Sequence, residues 1–339
     1  MNSLSALKLG YNIFLSNIKP LRFPYKLVFA VTYNCNSKCK TCNIWNKPIK
    51  DELETHEIQN FFSKNKFPWV NLTGGEVFLR SDLVKIVKSM RNTYLLNITT
   101  NGILTEKIIN DSLEIKKLIP KFILVVSIDG SKEVHNKIRG VDCWENAIET
   151  YKRAKKKGIE TYLGLTLSPY NIDYFQETSD DIKKVISDFK MKDLHLNIYH
   201  ESEIYFKNKG QIKLDEQYYK KLKQIIKKFI QNKKGIDFVT YIERRYLKSI
   251  EQYLDTGLSP ITCKALISSC FLDPQGNIYP CSILNCKLGN IKEIDYDLKK
   301  IWNDKNSEKI RQKIKENKCP GCWTPCEAYQ SILGSLVKK

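Results

Sequence analysis

The sequence predicts an α/β protein built as a partial (β/α)6 barrel of the TIM type, followed by a small, irregular C-terminal module. From about residue 25 onward, apolar strand-like runs alternate with amphipathic helical runs, which is typical of a parallel sheet with crossover helices. Glycine, cysteine and acidic residues collect just after successive strands. Seven of the eleven cysteines lie beyond residue 256, where the segments become short and rich in turn residues.

Six predicted strands make up the barrel, and each is a short apolar run bounded by polar or turn residues. They cover residues 25–33, 69–74, 94–101, 121–129, 161–168 and 193–200. Amphipathic helices are predicted between them, near residues 52–65, 81–91, 105–117, 142–157 and 173–188.

The same pattern divides the chain into four predicted parts. Residues 1–24 form an amphipathic N-terminal segment, 25–210 the barrel, 211–256 a bridging helical region, and 257–339 the cysteine-rich module. A module with so many cysteines and so few long apolar runs is expected to be held together by metal rather than by a core of its own.

The C-terminal ends of the predicted strands carry residues that add little to a hydrophobic core. A loop with three cysteines (35–42) follows the first strand, and the next three strands are followed by TGGE (73–76), TTNG (99–102) and SIDG (127–130). In (β/α) barrels the active site lies at this end of the strands. The pattern therefore predicts that these four loops share one site.

Cys35, Cys39 and Cys42 lie on one short loop with C-x3-C-x2-C spacing. An odd cluster of thiols cannot pair internally, and a structural zinc site would show a second Cys or His pair, which does not follow within about 20 residues. Three thiolates at this spacing can reach three corners of a cubane iron-sulfur cluster. The fourth iron would then be open to a substrate or cofactor. Iron-sulfur ligation is the favoured interpretation, with zinc and disulfides as alternatives.

The bulk composition favours a globular, reduced protein. Eleven cysteines without a secretory signal indicate a reducing cytoplasm, and no stretch approaches about 18 consecutive apolar residues, so no transmembrane segment is expected. The formal net charge of +19 invites a nucleic-acid interpretation. However, lysines are spread along the whole chain, and the densest run (220–234) has helical apolar spacing, so it is interpreted as a core-facing helix with a solvated basic face.

The N-terminal segment has the apolar spacing of an amphipathic helix. Its large apolar residues are Leu4, Leu7, Leu9, Tyr11, Ile13, Phe14, Leu15 and Ile18. Two interpretations stay open: the helix packs on the barrel, or it lies on a membrane surface.

Taken in order along the chain, these motifs resemble the radical S-adenosylmethionine (radical SAM) superfamily. The resemblance rests on the three-cysteine loop, on Gly74-Gly75-Glu76, and on NITTNG (97–102), SIDG (127–130) and HNKIRG (135–140), and it covers roughly residues 25–205. It implies that Cys35, Cys39 and Cys42 bind a four-iron four-sulfur cluster whose open iron is chelated by S-adenosylmethionine. It further implies reductive cleavage of that cofactor to a 5'-deoxyadenosyl radical, which abstracts hydrogen from a substrate.

The resemblance also assigns cofactor-binding roles to five residues. Glu76 is expected to accept from the methionyl ammonium, with Gly74 and Gly75 allowing the backbone to approach. Ser127 and Arg139 match positions that bind the carboxylate. The alternatives are a helix-start acid for Glu76 and an ordinary surface arginine for Arg139.

Three positions depart from the usual family pattern. Thr41 stands where many members have an aromatic residue, Val77 replaces the usual proline, and Ser168 ends an altered Gly-x-Ile-x-Gly pattern on the fifth strand. None is a cluster ligand, so the departures concern adenosine contacts more than the chemistry.

The C-terminal module is similar to the auxiliary iron-sulfur extension called SPASM. That pattern begins Cys-x9-15-Gly-x4-Cys, and the interval from Cys263 to Gly276 followed by Cys281 fits it. The resemblance implies one or two auxiliary four-iron clusters, with zinc as the alternative. The expected ligands are Cys263, Cys270, Cys281, Cys319, Cys322 and Cys326, with Cys286 as an additional candidate.

Several other residues also have ordinary structural interpretations. Cys143 is expected to be a buried packing cysteine. His135 in the HNKIRG loop is assigned either a part in shaping the cofactor site or an ordinary loop role, and His200 at the end of the sixth strand either faces substrate or is a core or surface histidine. Ser282 stands where sulfatase-maturing relatives have a carboxylate, which argues against that activity.

The leading functional hypothesis is radical hydrogen abstraction from a peptide or small biosynthetic precursor, with auxiliary clusters assisting oxidation or substrate binding. Radical modification of RNA or of a lipid precursor, and a non-catalytic iron-sulfur electron carrier, are the alternatives. The expected partners are the substrate, a flavodoxin- or ferredoxin-type electron donor, and a contact with a membrane surface or another anionic partner.

Overall fold

The computed structural model describes residues 2–336 as one mixed α/β fold built on a single nine-stranded sheet. The strands are β1 (Lys26–Ala30), β2 (Trp69–Thr73), β3 (Leu95–Thr100), β4 (Lys121–Ser127), β5 (Glu160–Leu167), β6 (Leu194–Ile198), β7 (Ser269–Leu272), β8 (Asn277–Tyr279) and β9 (Gly289–Asn290). Their order in the sheet is β6-β5-β4-β3-β2-β1-β7-β8-β9. The first six strands run parallel, and hydrogen bonds do not close the sheet between its two edges. The predicted partial barrel is confirmed.

Twelve α-helices accompany the sheet within residues 2–336. They are α1 (Asn2–Ile18), α2 (Thr55–Lys64), α3 (Leu83–Ser89), α4 (Thr105–Leu118), α5 (Lys132–Arg139), α6 (Trp144–Lys156), α7 (Phe175–Val185), α8 (Glu216–Asn232), α9 (Phe238–Thr256), α10 (Lys299–Trp302), α11 (Lys305–Lys315) and α12 (Pro325–Leu333). The five helices predicted between the barrel strands are α2, α3, α4, α6 and α7. None of the described helices is long and apolar enough to cross a membrane.

One helix was missed. The HNKIRG segment, interpreted from the sequence as a loop, belongs to α5. The helix buries His135 and Ile138, three residues apart on one face, and it ends at Gly140, whose φ of 67° is the left-handed conformation that closes many helices. Because this helix is only eight residues long, its apolar period is too short to stand out in the sequence.

The C-terminal module joins the barrel through backbone pairing, which the sequence did not predict. Strand β7 pairs in parallel with β1, with Leu27 opposite Cys270, and β8 and β9 extend the sheet in antiparallel fashion. Strand β1 therefore has a partner on both sides, and all five of its residues are buried. The apolar run predicted as β1 is thus an internal strand of the sheet and not an edge strand.

A buried lysine fixes α12 across this junction. The Lys26 ammonium donates to the Gln330 side chain at 2.6 Å and to the Cys326 carbonyl, and it lies 4.2 Å from the centre of the Trp69 ring. Lys26 has no exposed surface, so the ammonium needs these acceptors to replace water. Burial lowers the pKa of Lys26, and the nearby Glu327 carboxylate opposes that change.

The bridging region consists of α8 and α9, which pack against each other and cover the sheet at its β6 edge. Asp215 and Asp237 cap the two helices by accepting from backbone N–H groups of the first turn. Leu222, Ile226 and Phe229 of α8 are buried, so the lysine-rich run is a core-facing helix as predicted. The four-part division of the chain stays a prediction, although its third part coincides with these two helices.

Because β7 covers the edge of β1, we predict that a chain truncated after residue 256 self-associates. The unpaired β1 edge would present free N–H and C=O groups beside buried apolar side chains. Light scattering during size-exclusion chromatography, together with thermal unfolding, should show aggregates and no cooperative transition.

The matched control is truncation after Gly334, which keeps β7 and α12 and should behave like the whole chain. A monomeric 1–256 fragment that unfolds at the full-length temperature would contradict this prediction.

Candidate functional site

The three-cysteine loop leaves β1 at the C-terminal end of the sheet and is held by backbone hydrogen bonds on two sides. The N–H groups of Lys38 and Lys40 donate to the carbonyls of Arg139 and Ile138, both at 2.8 Å. On the other side, Asn43 N–H donates to the Phe206 carbonyl at 2.8 Å. The loop is thus clamped between the end of α5 and the segment after β6.

Cys35, Cys39 and Cys42 are half-buried free thiols on this loop. Burial raises the pKa of Cys35 to about 11 and that of Cys42 to about 12, and the neighbouring sulfurs add to the rise. Burial likewise raises the pKa of Cys39, which the Arg139 guanidinium opposes. Three thiolates would repel one another here, so a cationic metal group is what would stabilise them together.

Gly74 and Gly75 fit tightly against the base of the cysteine loop. Gly75 N–H donates to the Thr32 carbonyl and Glu76 N–H to the Asn34 carbonyl, each at 2.7 Å. A Cβ on Gly75 would lie 2.1 Å from the Asn34 carbonyl oxygen, and one on Gly74 would lie 2.3 Å from that of Thr32. The φ of Gly74, 138°, is also rarely adopted by other residues. These glycines therefore let β2 approach the cysteine loop closely.

The Glu76 carboxylate links three loops at the same end of the sheet. Its Oε1 accepts from Thr100 Oγ1 at 2.8 Å and from Phe78 N–H at 3.2 Å, and its Oε2 accepts from Asn101 N–H at 2.7 Å. Burial raises the pKa of Glu76, and these donors oppose the rise. The bond to Phe78 caps a short 3-10 helix, which is the helix-start role considered from the sequence.

A carboxylate offers about four acceptor positions, and three are used by the chain. One position on Glu76 Oε2 is free for a further donor.

Arg139 is not a surface arginine, since only 13% of its side chain is exposed, and it faces the cysteine loop. Its Nη2 pairs with Asp129 Oδ2 at 2.8 Å, its Nη1 approaches Cys39 Sγ at 3.8 Å, and its Nε has no partner. Burial alone would lower the pKa of Arg139, but the charges of Asp129 and Cys39 outweigh it, so the guanidinium stays charged. Ser127 ends β4, two residues before Asp129, and is half-buried.

Sequence reasoning missed Asp129 as the partner of Arg139. His135 Nδ1 accepts from the Asp129 N–H at 3.0 Å, and its Nε2 lies 3.3 Å from Cys143 Sγ. Burial lowers the pKa of His135, so the imidazole is neutral and can accept that bond. His135 therefore orients Asp129, and Cys143 is buried beside it. The sequence signal that could have indicated Asp129 lies in the SIDG motif, because this aspartate is a polar residue following a buried strand.

Tyr205 is a second residue that the sequence did not indicate. Its hydroxyl lies 2.5 Å from Thr73 Oγ1 and accepts from Gly74 N–H at 3.1 Å. It belongs to a small buried cluster with Phe271, against which Cys42 and Cys326 pack. Tyr205 thus lies between the glycine motif and the C-terminal module. It comes from an irregular loop after β6, where no periodic pattern marks it.

The His200 side chain packs against Tyr253 of α9. Its Nδ1 is 3.5 Å from the Tyr253 hydroxyl of α9, and burial lowers its pKa to about 4. The structure therefore places it in the packing between α9 and the C-terminal module.

The C-terminal cysteines separate into two sets. Burial raises the pKa of Cys263, Cys281 and Cys322, and repulsion between sulfurs adds to it: Cys322 acts on Cys263 and Cys281, and Cys319 acts on Cys263 and Cys322. Backbone N–H groups already point at two of these sulfurs, at 3.4 Å for Cys263 and 3.3 Å for Cys281. The pKa of each of these three thiols is thus raised by burial and by another sulfur of the module.

Cys270 and Cys326 belong to the second set. Burial raises the pKa of both thiols, and no other sulfur contributes to the rise. The Glu327 carboxylate also adds to it, as it does for Cys263, Cys281 and Cys322. Cys270 points from β7, and Cys326 packs in the cluster around Tyr205. Cys286 lies half-buried between β8 and β9.

All eleven cysteines are free thiols, so the disulfide alternative is wrong for this structure. Within residues 2–336, no three His, Cys, Asp or Glu side chains converge on a point where one metal ion would bind. A cubane cluster binds its thiolates at separate iron atoms, so the loose groups of buried thiols fit that donor set better than a zinc site.

Family models match two separate parts of the chain. The model described as the radical SAM superfamily matches residues 29–182, and the model described as SPASM, an iron-sulfur cluster-binding domain, matches residues 263–327. The chain is a radical SAM enzyme with a SPASM domain. Its cofactors are S-adenosylmethionine with a four-iron four-sulfur cluster in the barrel, and one or two auxiliary iron-sulfur clusters. The alternative of a non-catalytic electron carrier is therefore wrong.

Two relatives illustrate how widely this family has diverged. The radical SAM chain is 24% identical over 331 residues to a protein of Oleidesulfovibrio alaskensis named AdoMet-dependent heme synthase, covering 91% of this chain and 81% of the relative. It is 29% identical over 152 residues to a protein of Dinoroseobacter shibae named pre-heme d1 synthase, covering 43% of this chain and 37% of that relative.

Solved structures share the fold of this radical SAM protein. Streptococcus suis SuiB bound to S-adenosylmethionine superposes with a TM-score of 0.62 at 19% identity, covering 86% of this chain and 68% of SuiB. The protein anSMEcpe with bound AdoMet gives a TM-score of 0.63 at 19% identity, covering 84% and 83%.

Because Gly75 touches the backbone of the cysteine loop, we predict that Gly75→Ala destabilises the protein. The new Cβ must displace the Asn34 carbonyl, and overpacking of this kind lowers the free energy of unfolding by about 1–3 kcal/mol. Urea denaturation with a fixed m-value measures the change.

Gly10→Ala is the control, since a Cβ on Gly10 of α1 meets nothing within 4 Å. It should be neutral or slightly stabilising. Equal urea midpoints for Gly75→Ala and the wild type would contradict the close contact between Gly75 and the Asn34 carbonyl.

Proposed function

We propose that the protein reductively cleaves S-adenosylmethionine to a 5'-deoxyadenosyl radical, which abstracts hydrogen from a peptide or small biosynthetic precursor. The observation that carries this proposal is the cysteine loop itself. Three half-buried thiols lie on one loop that is clamped between the end of α5 and the segment after β6, and the glycine motif after β2 contacts the base of that loop. Such a loop supplies three thiolates and leaves the fourth iron position to the cofactor.

The chain's own residues would orient that cofactor. We assign Cys35, Cys39 and Cys42 as cluster ligands, and Glu76, with one acceptor position free, as the acceptor for the methionyl ammonium. Gly74 and Gly75 bring Glu76 to the cysteine loop. Arg139 supports binding of the carboxylate, because its buried Nε has no partner in the protein and its charge is fixed by Asp129. Ser127, at the end of β4, is assigned to the same carboxylate.

In the SPASM domain we propose a single auxiliary cluster held by Cys263, Cys281, Cys319 and Cys322. Other sulfurs of this set add to the effect of burial in raising the pKa of Cys263, Cys281 and Cys322, which supports the choice. No other sulfur acts on the pKa of Cys270 or Cys326. Four thiolates complete one cubane. This choice narrows the sequence expectation of one or two clusters held by six cysteines.

We further propose a flavodoxin- or ferredoxin-type donor as the source of the electron, acting in the reducing cytoplasm that eleven free thiols favour. The net charge of +19 would attract an acidic protein of this kind.

We predict that changing Cys35, Cys39 and Cys42 together to Ala abolishes formation of 5'-deoxyadenosine but leaves the auxiliary iron in place. The triple variant should lose about half of the iron bound by the wild type, because one of two proposed cubanes disappears. Anaerobic reconstitution, an iron and sulfide count, and a dithionite-driven assay of 5'-deoxyadenosine provide the measurement.

Cys143→Ala is the control, since Cys143 is a buried thiol outside the loop. It should keep the full iron content and the full rate. Undiminished 5'-deoxyadenosine from the triple variant would exclude the proposal. Loss of only about one third of the wild-type iron would exclude the single auxiliary cluster, because two auxiliary cubanes would then remain.

A further inference from the structure

Helix α1 turns its largest apolar side chains away from the protein. They recur every three or four residues and so form one continuous stripe along the helix. The stripe and its exposed fractions are Leu4 at 74%, Leu7 at 70%, Tyr11 at 62%, Phe14 at 51% and Ile18 at 48%. Single exposed apolar residues are common, but five on one helix face form a patch.

The opposite face attaches α1 firmly to the rest of the molecule. Leu9 is buried, and Ser16 supplies a carbonyl that accepts from Lys264 at 2.8 Å. Asn17 donates to the Leu333 carbonyl of α12 at 3.2 Å. The exposed stripe is therefore held in a fixed position on a packed helix.

The charged residues of α1 and of the segment that follows it in the sequence are all basic. The first acidic residue of the sequence is Asp51. Lys8 follows the stripe residue Leu7 and projects about 100° around the helix from it, and Lys19 comes directly after the last helical residue, Ile18. Both lysines are exposed. Lysines at the border of an apolar face can bury their stems while the ammonium reaches an anionic headgroup.

We propose that α1 is an interfacial helix that docks the protein on an anionic lipid bilayer. Its stripe would enter the headgroup and acyl boundary, with Tyr11 and Phe14 as aromatic anchors and the lysines at the phosphate level. Pairing with a second copy of α1 is less favourable, because it would bring lysines together without an acidic partner. The proposal goes beyond the radical chemistry and would stand without it.

The test uses the whole reconstituted protein and vesicles of phosphatidylcholine, with or without phosphatidylglycerol. Co-sedimentation should show binding that requires phosphatidylglycerol and weakens with salt. The double variant Leu7→Ser, Phe14→Ser should bind at least about tenfold more weakly. The matched control is Ile236→Ser, Phe238→Ser, which changes another exposed apolar pair, at the start of α9, and should bind like the wild type.

Two results would overturn the proposal. One is absent binding to phosphatidylglycerol vesicles, or binding that the α1 variant leaves unchanged. The other is a wild-type dimer in sedimentation velocity that the α1 variant converts to a monomer, which would assign the stripe to a second copy of the chain.

Discussion

Two backbone hydrogen bonds between β2 and the cysteine loop are the constraint on which the site depends. They run from Gly75 and Glu76 to the carbonyls of Thr32 and Asn34, and they exist because neither Gly74 nor Gly75 has a side chain to hold the segments apart. The same approach puts Glu76 where it reaches Thr100 and Asn101 of the next loop. One pair of glycines thereby connects three strand ends into a single surface.

Strand β1 connects that surface to the C-terminal module. It is hydrogen-bonded to β2 on one side and to β7 on the other, so the barrel and the SPASM domain share one sheet. Lys26, at the start of β1, reaches α12 and the Cys326 carbonyl, and Tyr205 packs between Cys42 and Cys326 from the barrel side. The two cysteine regions are therefore fixed relative to each other by packing as well as by the chain.

Much of the site was predictable because its parts are local. The thiols of residues 35–42 share one loop, and the glycine motif directly follows a strand that is recognisable by its apolar run, so spacing alone indicates both. Asp129 and Tyr205 were not predictable in the same way. Asp129 becomes significant only when α5 brings Arg139 to it, and Tyr205 only when the loop after β6 folds over Gly74.

The sequence by itself determined the alternation of strands and helices, the end of the sheet that carries the chemistry, and the cysteine spacing that points to iron-sulfur clusters. These depend on side-chain periodicity and on short distances along the chain. The tertiary structure alone decided that β7 pairs with β1, that Tyr205 reaches Gly74, and that the apolar face of α1 points outward. Each of these joins segments that are far apart in the chain, where the packing of whole elements, and no local pattern, selects the partner.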